Sequence, residues 1–252
     1  MQTINFEEYD RLFNNCNLYR IPFINLAKTV KEKRPEIFQS FNAYQGSIFY
    51  YLQKLEILCA NFENHKQYWN VHAQNVQELS RSKKIEKTPM ELQRKFVDRT
   101  QGFSKLLQLD VDSFFIFSRI LLDRLPFLLF PFFQGIVTRS GKTPDKRGFK
   151  AHLEWFEKKQ KLVIDKNYLK EMISFKNWAE PNLFDFRDNI IVHSRRFQIT
   201  SRIIEGGELE RISFDPSTEK KITYHMPNIE NVFKNIIRFL NYLDDYFSSN
   251  LK

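Results

Sequence analysis

The chain of 252 residues contains few cysteines and few glycines. Its two cysteines, Cys16 and Cys59, lack a CxxC spacing and are too few for a disulfide framework or a structural zinc site, so we expect a reducing compartment. Seven glycines and nine prolines are too few for a turn-rich sandwich. Because 26 Phe and 10 Tyr accompany them, the composition favours long helices packed around aromatic side chains.

The sequence also lacks a long apolar run and a secretion signal. Its most apolar stretch, residues 114–137, is interrupted by three charged residues and two prolines, whereas a bilayer span needs about 20 residues without such charges. This stretch predicts a buried helix that is broken at Pro126 or Pro131, and no membrane partner. The N-terminal residues include acids and no apolar signal-peptide core, so we expect a cytoplasmic protein.

Charge is unbalanced towards the basic side. The 39 Lys and Arg residues exceed the 30 Asp and Glu residues, which leaves a formal net charge of +9. A field of this sign attracts polyanions, so nucleic acid is the first class of partner to consider. The alternative is that a moderately basic surface only keeps the protein in solution.

Apolar spacing predicts a mainly α-helical chain. Steps of three and four residues predict helices over residues 36–70, 90–107, 113–125 and 228–251, with one or two shorter helices in 149–178. Asp110 or Asp112 is a candidate N-cap for the helix over 113–125, because a short carboxylate accepts hydrogen bonds from free N–H groups. Pro181 is suited to the first turn of another helix.

The pattern alternates between residues 198 and 226, around Gly206 and Gly207. Ile, Thr, Phe and Tyr at every second position predict a small antiparallel β-ribbon inserted before the C-terminal helix. Residues 1–33 give no clear pattern, and no internal repeat is evident. We therefore expect one helical-bundle domain over residues 1–252.

Common cofactor motifs are missing from the sequence. It has no GxxxxGK[ST], GxGxxG, HExxH or GxSxG segment, which argues against ATP-dependent, dinucleotide-dependent, zinc-protease and serine-hydrolase chemistry. His65 and His72 are seven positions apart, and a polar helix face is a better explanation of them than a metal site. We expect no cofactor and no metal.

Polar chemistry is concentrated around an apolar pair in the segment PNLFDFRDNIIVHSRRF, residues 181–197. Its candidate site residues are Arg187, Asp188, Asn189, His193, Arg195 and Arg196. On a regular helix Asn189 and His193 share a face, whereas Arg187 is displaced from His193 by about 120° and about 9 Å. A two-fold partner presenting the same helix would complete a pocket with two arginines and two histidines.

RDNIIVH, from Arg187 to His193, resembles the signature of the HEPN family, in which an Arg and a polar residue precede a His by several positions. The resemblance covers residues 181–197 and implies a HEPN-like helical bundle that dimerises. It further implies a metal-independent endoribonuclease of the kind found in toxin and antiviral systems, with an antitoxin or another regulatory protein as a partner. Arg187 and His193 would be catalytic, with Asp188 as the polar second residue.

The expected chemistry is coherent, because histidine exchanges protons near neutral pH and arginine stays charged over a phosphate. Arg195 and Arg196 are candidates for binding flanking RNA phosphates, and use of the 2′-hydroxyl predicts RNA over DNA as the substrate.

Asn189 is a fourth catalytic candidate, with helix capping as its alternative role. An Arg shortly before a His also occurs by chance, as in RGFKAH, where the two are five positions apart and a glycine follows the Arg. The second hypothesis is a non-catalytic HEPN-like module that binds RNA or protein.

Overall fold

The structure is a computed structural model that describes residues 22–81, 90–129, 132, 148–158, 166–185, 198–203, 209–215, 220–225 and 227–250. The described chain is mainly helical, which confirms the predicted fold class at that level. Its α-helices are α1 (Ile24–Lys33), α2 (Pro35–Arg81), α3 (Met90–Leu129), α4 (Phe149–Lys158), α5 (Lys166–Ala179) and α6 (Ile229–Asn250).

Three strands lie in the interval where the sequence alternates. They are β1 (Gln198–Ile203), β2 (Leu209–Asp215) and β3 (Lys220–His225), and they form an antiparallel sheet in the order β1-β2-β3. Ile212 of β2 pairs with Thr200 of β1 on one side and with Thr223 of β3 on the other. Gly206 and Gly207, which lie between β1 and β2, are outside the described residues.

The chain divides into two compact units, and α2 and α3 contribute residues to both. Unit 1 comprises Met1–Glu56, Ile116–Phe184 and Glu230–Lys252, and unit 2 comprises Ile57–Phe115 and Asp185–Ile229. The expectation of one domain over the whole chain stays a prediction.

Helix α1 begins in unit 1 at a residue with unusual backbone geometry. Phe23, which precedes the helix, has φ 61° and ψ 24° and is fully buried. The carboxylate of Asp244 in α6 accepts a hydrogen bond of 3.0 Å from the backbone N–H of Leu26, so a distant side chain supplies the cap that Phe23 lacks. The first N–H groups of a helix have no partner within it, and a carboxylate also complements the helix dipole.

Aromatic side chains join α4, α5 and α6 in unit 1. Phe175 and Phe239 stack with ring centroids 3.8 Å apart and an interplanar angle of 9°. Phe149 contacts Phe239 edge to face at 5.8 Å. Tyr168 of α5 stacks on Tyr246 of α6 at 4.9 Å, and burial raises its pKa well above the usual value. The abundance of aromatics in the sequence is thus used to fill this core.

Helix α3 corrects the prediction of two helices separated by a cap. It runs without a break from Met90 to Leu129, so neither Asp110 nor Asp112 is an N-cap. Asp110 lies in the middle of the helix and is only 5% exposed. Leu107, Val111 and Phe114 are fully buried at steps of four and three, so burial of this face outweighs the local preference of aspartate for caps.

Pro126 lies inside α3, so the predicted break is not at that residue, and the alternative break at Pro131 lies outside the described residues. An interior proline costs about 3 kcal/mol, because it removes one hydrogen bond and crowds the preceding turn. Burial of one leucine side chain contributes about 1.5–3 kcal/mol, so a few leucines offset that cost. The buried leucines around it are Leu121, Leu122, Leu125, Leu128 and Leu129. Among the described residues, no helix combines the length and the apolar character needed to cross a bilayer.

Candidate functional site

The predicted site residues all lie outside the described residues. They are Arg187, Asp188, Asn189, His193, Arg195 and Arg196. The structure describes the helix that precedes them as far as Asp185, and the strand that follows them from Gln198. Their catalytic and RNA-binding roles therefore stay predictions, and the geometry on both sides supplies the structural context.

A π-helical turn, Glu180–Phe184, follows α5 directly and contains Pro181. The predicted first turn of a new helix at Pro181 is therefore wrong, because α5 continues into this wider turn. Proline has no N–H group and clashes with the carbonyl four residues earlier, and a wider turn relieves both conflicts. The Asn182 side chain donates a hydrogen bond of 2.7 Å to the Trp178 carbonyl, which gives that acceptor a partner.

Phe184 anchors the end of this turn, three positions before Arg187. It is 1% exposed, and the guanidinium carbon of Arg119 lies 4.5 Å from its ring centroid. Arg119 also donates from Nε to Asp123 Oδ2 at 3.0 Å. Its Nη1 atom is buried and has no hydrogen-bond partner within the described part of the chain. A fixed cation thus lies against the residue from which the chain enters the predicted catalytic segment.

The same aspartate holds the start of α4. Asp123 Oδ1 accepts a hydrogen bond of 2.8 Å from the Phe149 N–H, the first of the helix. A Cβ atom on Gly148 would lie 3.2 Å from Asp123 Oδ1, so glycine permits the close approach. Lys150 of α4 pairs with Glu180 of the π-helical turn at 3.1 Å.

His152, the histidine of the competing RGFKAH segment, lies in α4 and is 1% exposed. A phosphodiester in solution cannot approach an imidazole that is buried to this degree. The buried position therefore removes the second Arg-to-His spacing from consideration as an RNA-cleaving site.

His65 and His72 are not on a polar helix face, which corrects the sequence interpretation. His65 Nδ1 lies 2.5 Å from Asp110 Oδ2, so the two residues join α2 to α3 within unit 2. Burial raises the pKa of the Asp110 carboxyl, and its hydrogen bond with His65 opposes that rise. Both histidines fall on the apolar stripe of α2 that includes Leu58 and Phe62, and this spacing was the sequence signal for an inward position.

The tautomer of His72 follows from its neighbours. Its Nε2 lies 2.9 Å from Thr100 Oγ1, and the Thr100 hydroxyl donates to the Phe96 carbonyl at 2.9 Å. Because the hydroxyl has only one hydrogen, His72 Nε2 must donate to it. In the neutral ring Nδ1 is then the acceptor. His72 itself is 8% exposed.

Each unit has an open hollow among its described residues. The hollow in unit 1, about 420 Å³, lies between α1 and α2 and is mainly apolar. The hollow in unit 2, about 480 Å³, lies on α2 and α3 and has a mixed lining. The lining residues in unit 2 are Gln67, Tyr68, Val71, His72, Asn75, Arg99 and Phe103.

No group of three His, Cys, Asp or Glu side chains that could hold a metal ion occurs among the described residues. Comparisons of the chain with protein-family models, curated proteins and solved structures find no match. The functional assignment therefore depends on the residues of this chain.

Proposed function

We propose that the protein is a metal-independent endoribonuclease of the HEPN type, with Arg187 and His193 as its catalytic pair. The observation that carries this proposal is the segment RDNIIVH in a basic, mainly helical chain. Asp188 and Asn189 complete the polar set, and Arg195 and Arg196 bind flanking phosphates of the RNA. A toxin or antiviral role with a restraining regulatory protein is the setting that the resemblance implies.

In the proposed reaction, the neutral imidazole of His193 removes the proton of an RNA 2′-hydroxyl. The 2′-oxygen attacks the adjacent phosphorus, and the bond from phosphorus to the 5′-oxygen breaks. The leaving 5′-oxygen takes up the proton that the His193 imidazolium now carries, so the products are a cyclic phosphate and a neutral 5′-hydroxyl. Arg187 stabilises the extra negative charge on the phosphorane through its two parallel N–H groups. Histidine suits the proton transfer because it titrates near neutral pH.

The described neighbourhood supports this proposal in two ways. The π-helical turn immediately precedes the segment, and such turns are frequent at functional sites. Arg119, held against Phe184 by the ring and by Asp123, adds a cation where the chain enters the segment.

A homodimer is part of the proposal. On a regular helix Arg187 and His193 point in directions about 120° apart, so one copy would not place both on one phosphate. Two copies related by a two-fold axis would bring an arginine from one to the histidine of the other.

The test incubates the purified protein with single-stranded RNA in EDTA and separates the products by length. The wild-type protein is expected to cleave, and Arg187→Ala and His193→Ala are each expected to lose at least about 100-fold in rate, the usual contribution of such a group. Arg238→Ala is the matched control, because Arg238 is an exposed arginine on α6. Undiminished cleavage by either site variant, with its fold intact, would contradict the proposal.

The second candidate is a non-catalytic HEPN-like module that binds RNA or a protein. The hollow in unit 2 favours this candidate, because its lining combines aromatic, amide and guanidinium groups. Such groups bind a ligand without having to catalyse a reaction. RNA binding that weakens with salt and yields no cleavage products would select this candidate over the nuclease.

A further inference from the structure

The hollow in unit 2 has an aromatic side exposed to solvent. Tyr68 of α2 stacks on Phe103 of α3, with ring centroids 6.4 Å apart and an interplanar angle of 16°. Tyr68 is 62% exposed although it is a large aromatic, and its neighbour Val71 is 58% exposed. A nearly parallel pair of rings at an open surface presents the kind of flat face on which a planar ligand stacks.

The other lining groups are suited to polar recognition. Gln67 and Asn75 supply amides that both donate and accept hydrogen bonds, and His72 is held in the tautomer with Nδ1 as an acceptor. Two ring contacts fix the position of His72, at 5.7 Å from Phe103 and 6.2 Å from Phe96.

Of the described residues that line the hollow, Arg99 is charged and none is acidic. An exposed guanidinium at the rim favours a ligand with a negative group, and its planar fork matches two oxygens of a phosphate. The net charge of +9 increases the local concentration of such anions.

We propose that this hollow binds one unpaired nucleotide of a single-stranded nucleic acid. The base stacks on Tyr68, its edge meets the amides and His72, and Arg99 binds the phosphate. An apolar peptide would leave the amides and the guanidinium without partners, which is costly once they are covered. The site is separate in sequence from residues 187–196, and its test does not require cleavage.

The experiment measures the Kd of a labelled single-stranded 2′-O-methyl RNA by fluorescence anisotropy with the full chain. The methylated 2′-oxygen cannot attack the phosphate, so binding is measured without turnover. Tyr68→Ala is expected to raise Kd at least about tenfold, equivalent to about 1.4 kcal/mol, whereas Tyr68→Phe keeps the stack and stays near wild type. Arg99→Ala is expected to lower the slope of log Kd against log salt by about one.

Two matched controls use exposed residues on the same helices outside the hollow. Tyr50→Ala removes a 53% exposed tyrosine from α2, and Arg94→Ala removes an exposed arginine from α3. Tyr50→Ala is expected to bind like the wild type. Arg94→Ala is expected to show only a small uniform loss of affinity from the removed charge. A base-paired duplex of the same sequence is expected to bind without sensitivity to Tyr68→Ala, because its bases are already stacked.

The proposal is overturned if Tyr68→Ala and Arg99→Ala bind like their controls, or if the wild-type protein does not bind the oligonucleotide. These results are distinguishable from failure of the proposed nuclease. If Arg187→Ala and His193→Ala cleave normally while Tyr68→Ala binds poorly, the nucleotide site stands and the catalytic assignment fails. If the catalytic variants lose cleavage while Tyr68→Ala binds normally, the reverse holds.

Discussion

The imidazole of His65 in α2 meets the buried carboxylate of Asp110 in α3, with Nδ1 and Oδ2 2.5 Å apart. The Asp110 side chain is 7% exposed and that of His65 is 25% exposed, so water reaches the histidine of the pair much more than the aspartate. A hydrogen-bonded polar pair between two long helices favours one register of the helices over others.

We expect Asp110→Asn to raise the free energy of unfolding near neutral pH. Burial raises the pKa of Asp110 in the folded state, so the folded state favours the protonated form. Stability from this group is therefore fully present below the unfolded carboxyl pKa of about 3.9, and it is lost as pH rises through the raised folded pKa. Asparagine keeps a hydrogen-bonding group for His65 without the buried charge.

The measurement is urea unfolding of both proteins between about pH 3 and pH 8. The advantage of Asp110→Asn is expected to be on the order of 1 kcal/mol at neutral pH and to shrink towards acid pH. Asp98→Asn, which removes an exposed carboxylate from the same helix, is the control for the loss of one negative charge. An advantage that grows on acidification would mean that pairing with His65 outweighs the cost of burial.

Asp244→Ala should destabilise unit 1 by about 1–2 kcal/mol, because the N–H of Leu26 then loses its acceptor at the start of α1. Ser248 Oγ, which donates to the same carboxylate oxygen at 3.2 Å, loses a partner as well. Asp245→Ala, at the exposed neighbouring position, is expected to stay within about 0.5 kcal/mol of the wild type. Equal effects of the two substitutions in urea unfolding would argue against the capping role.

Asp123→Ala is expected to cost about 2–3 kcal/mol, because one side chain serves two partners. Its removal leaves the Arg119 guanidinium, 15% exposed, without its carboxylate and the Phe149 N–H without an acceptor. Combining it with Arg119→Met should recover part of the loss, since no unpaired cation then remains. Urea unfolding of the two single variants and the double variant measures the coupling, and strict additivity would show that the ion pair contributes nothing.

The amphipathic helices could be predicted from the sequence, because their signal is local. The spacing of apolar residues predicts the C-terminal helix, and Ile236 and Leu243 on that stripe are fully buried in α6. The predicted helix over 36–70 is also present, although α2 continues to Arg81. One or two shorter helices are expected within 149–178, and the structure has two there, α4 and most of α5.

The predicted cap at Asp110 or Asp112 and the predicted break at Pro126 are wrong, because capping and proline signals are also local, while the energy that overrides them comes from distant contacts. Asp110 reads as a cap in sequence, but its partner His65 is 45 positions away on another helix. Nothing in the spacing of either helix fixes the register that brings the two together. The same holds for Asp244 and Leu26, whose contact spans 218 positions.

The two candidate sites also differ in how far the sequence predicts them. The segment of Arg187 and His193 was selected from residue types and spacing, and its roles stay predictions. The hollow with Tyr68 and Phe103 could not be predicted, because an exposed tyrosine becomes a stacking face only where the second helix supplies a ring beside it. The tautomer of His72 depends on Thr100, which is 28 positions away on another helix.

The final prediction concerns the chemistry of the nuclease. If the 2′-hydroxyl is the nucleophile, one 2′-deoxy substitution immediately before the cleaved bond should abolish cleavage there while binding changes little, because only one oxygen among many contacts is removed. The measurement uses an RNA that the wild-type protein cuts at a mapped position, compared with the same RNA carrying the single substitution. A substitution one nucleotide away is the control and should leave the rate unchanged. Cleavage that persists at the substituted position would point to a water molecule as the nucleophile and would remove the proposed role of His193 as the base for the 2′-hydroxyl.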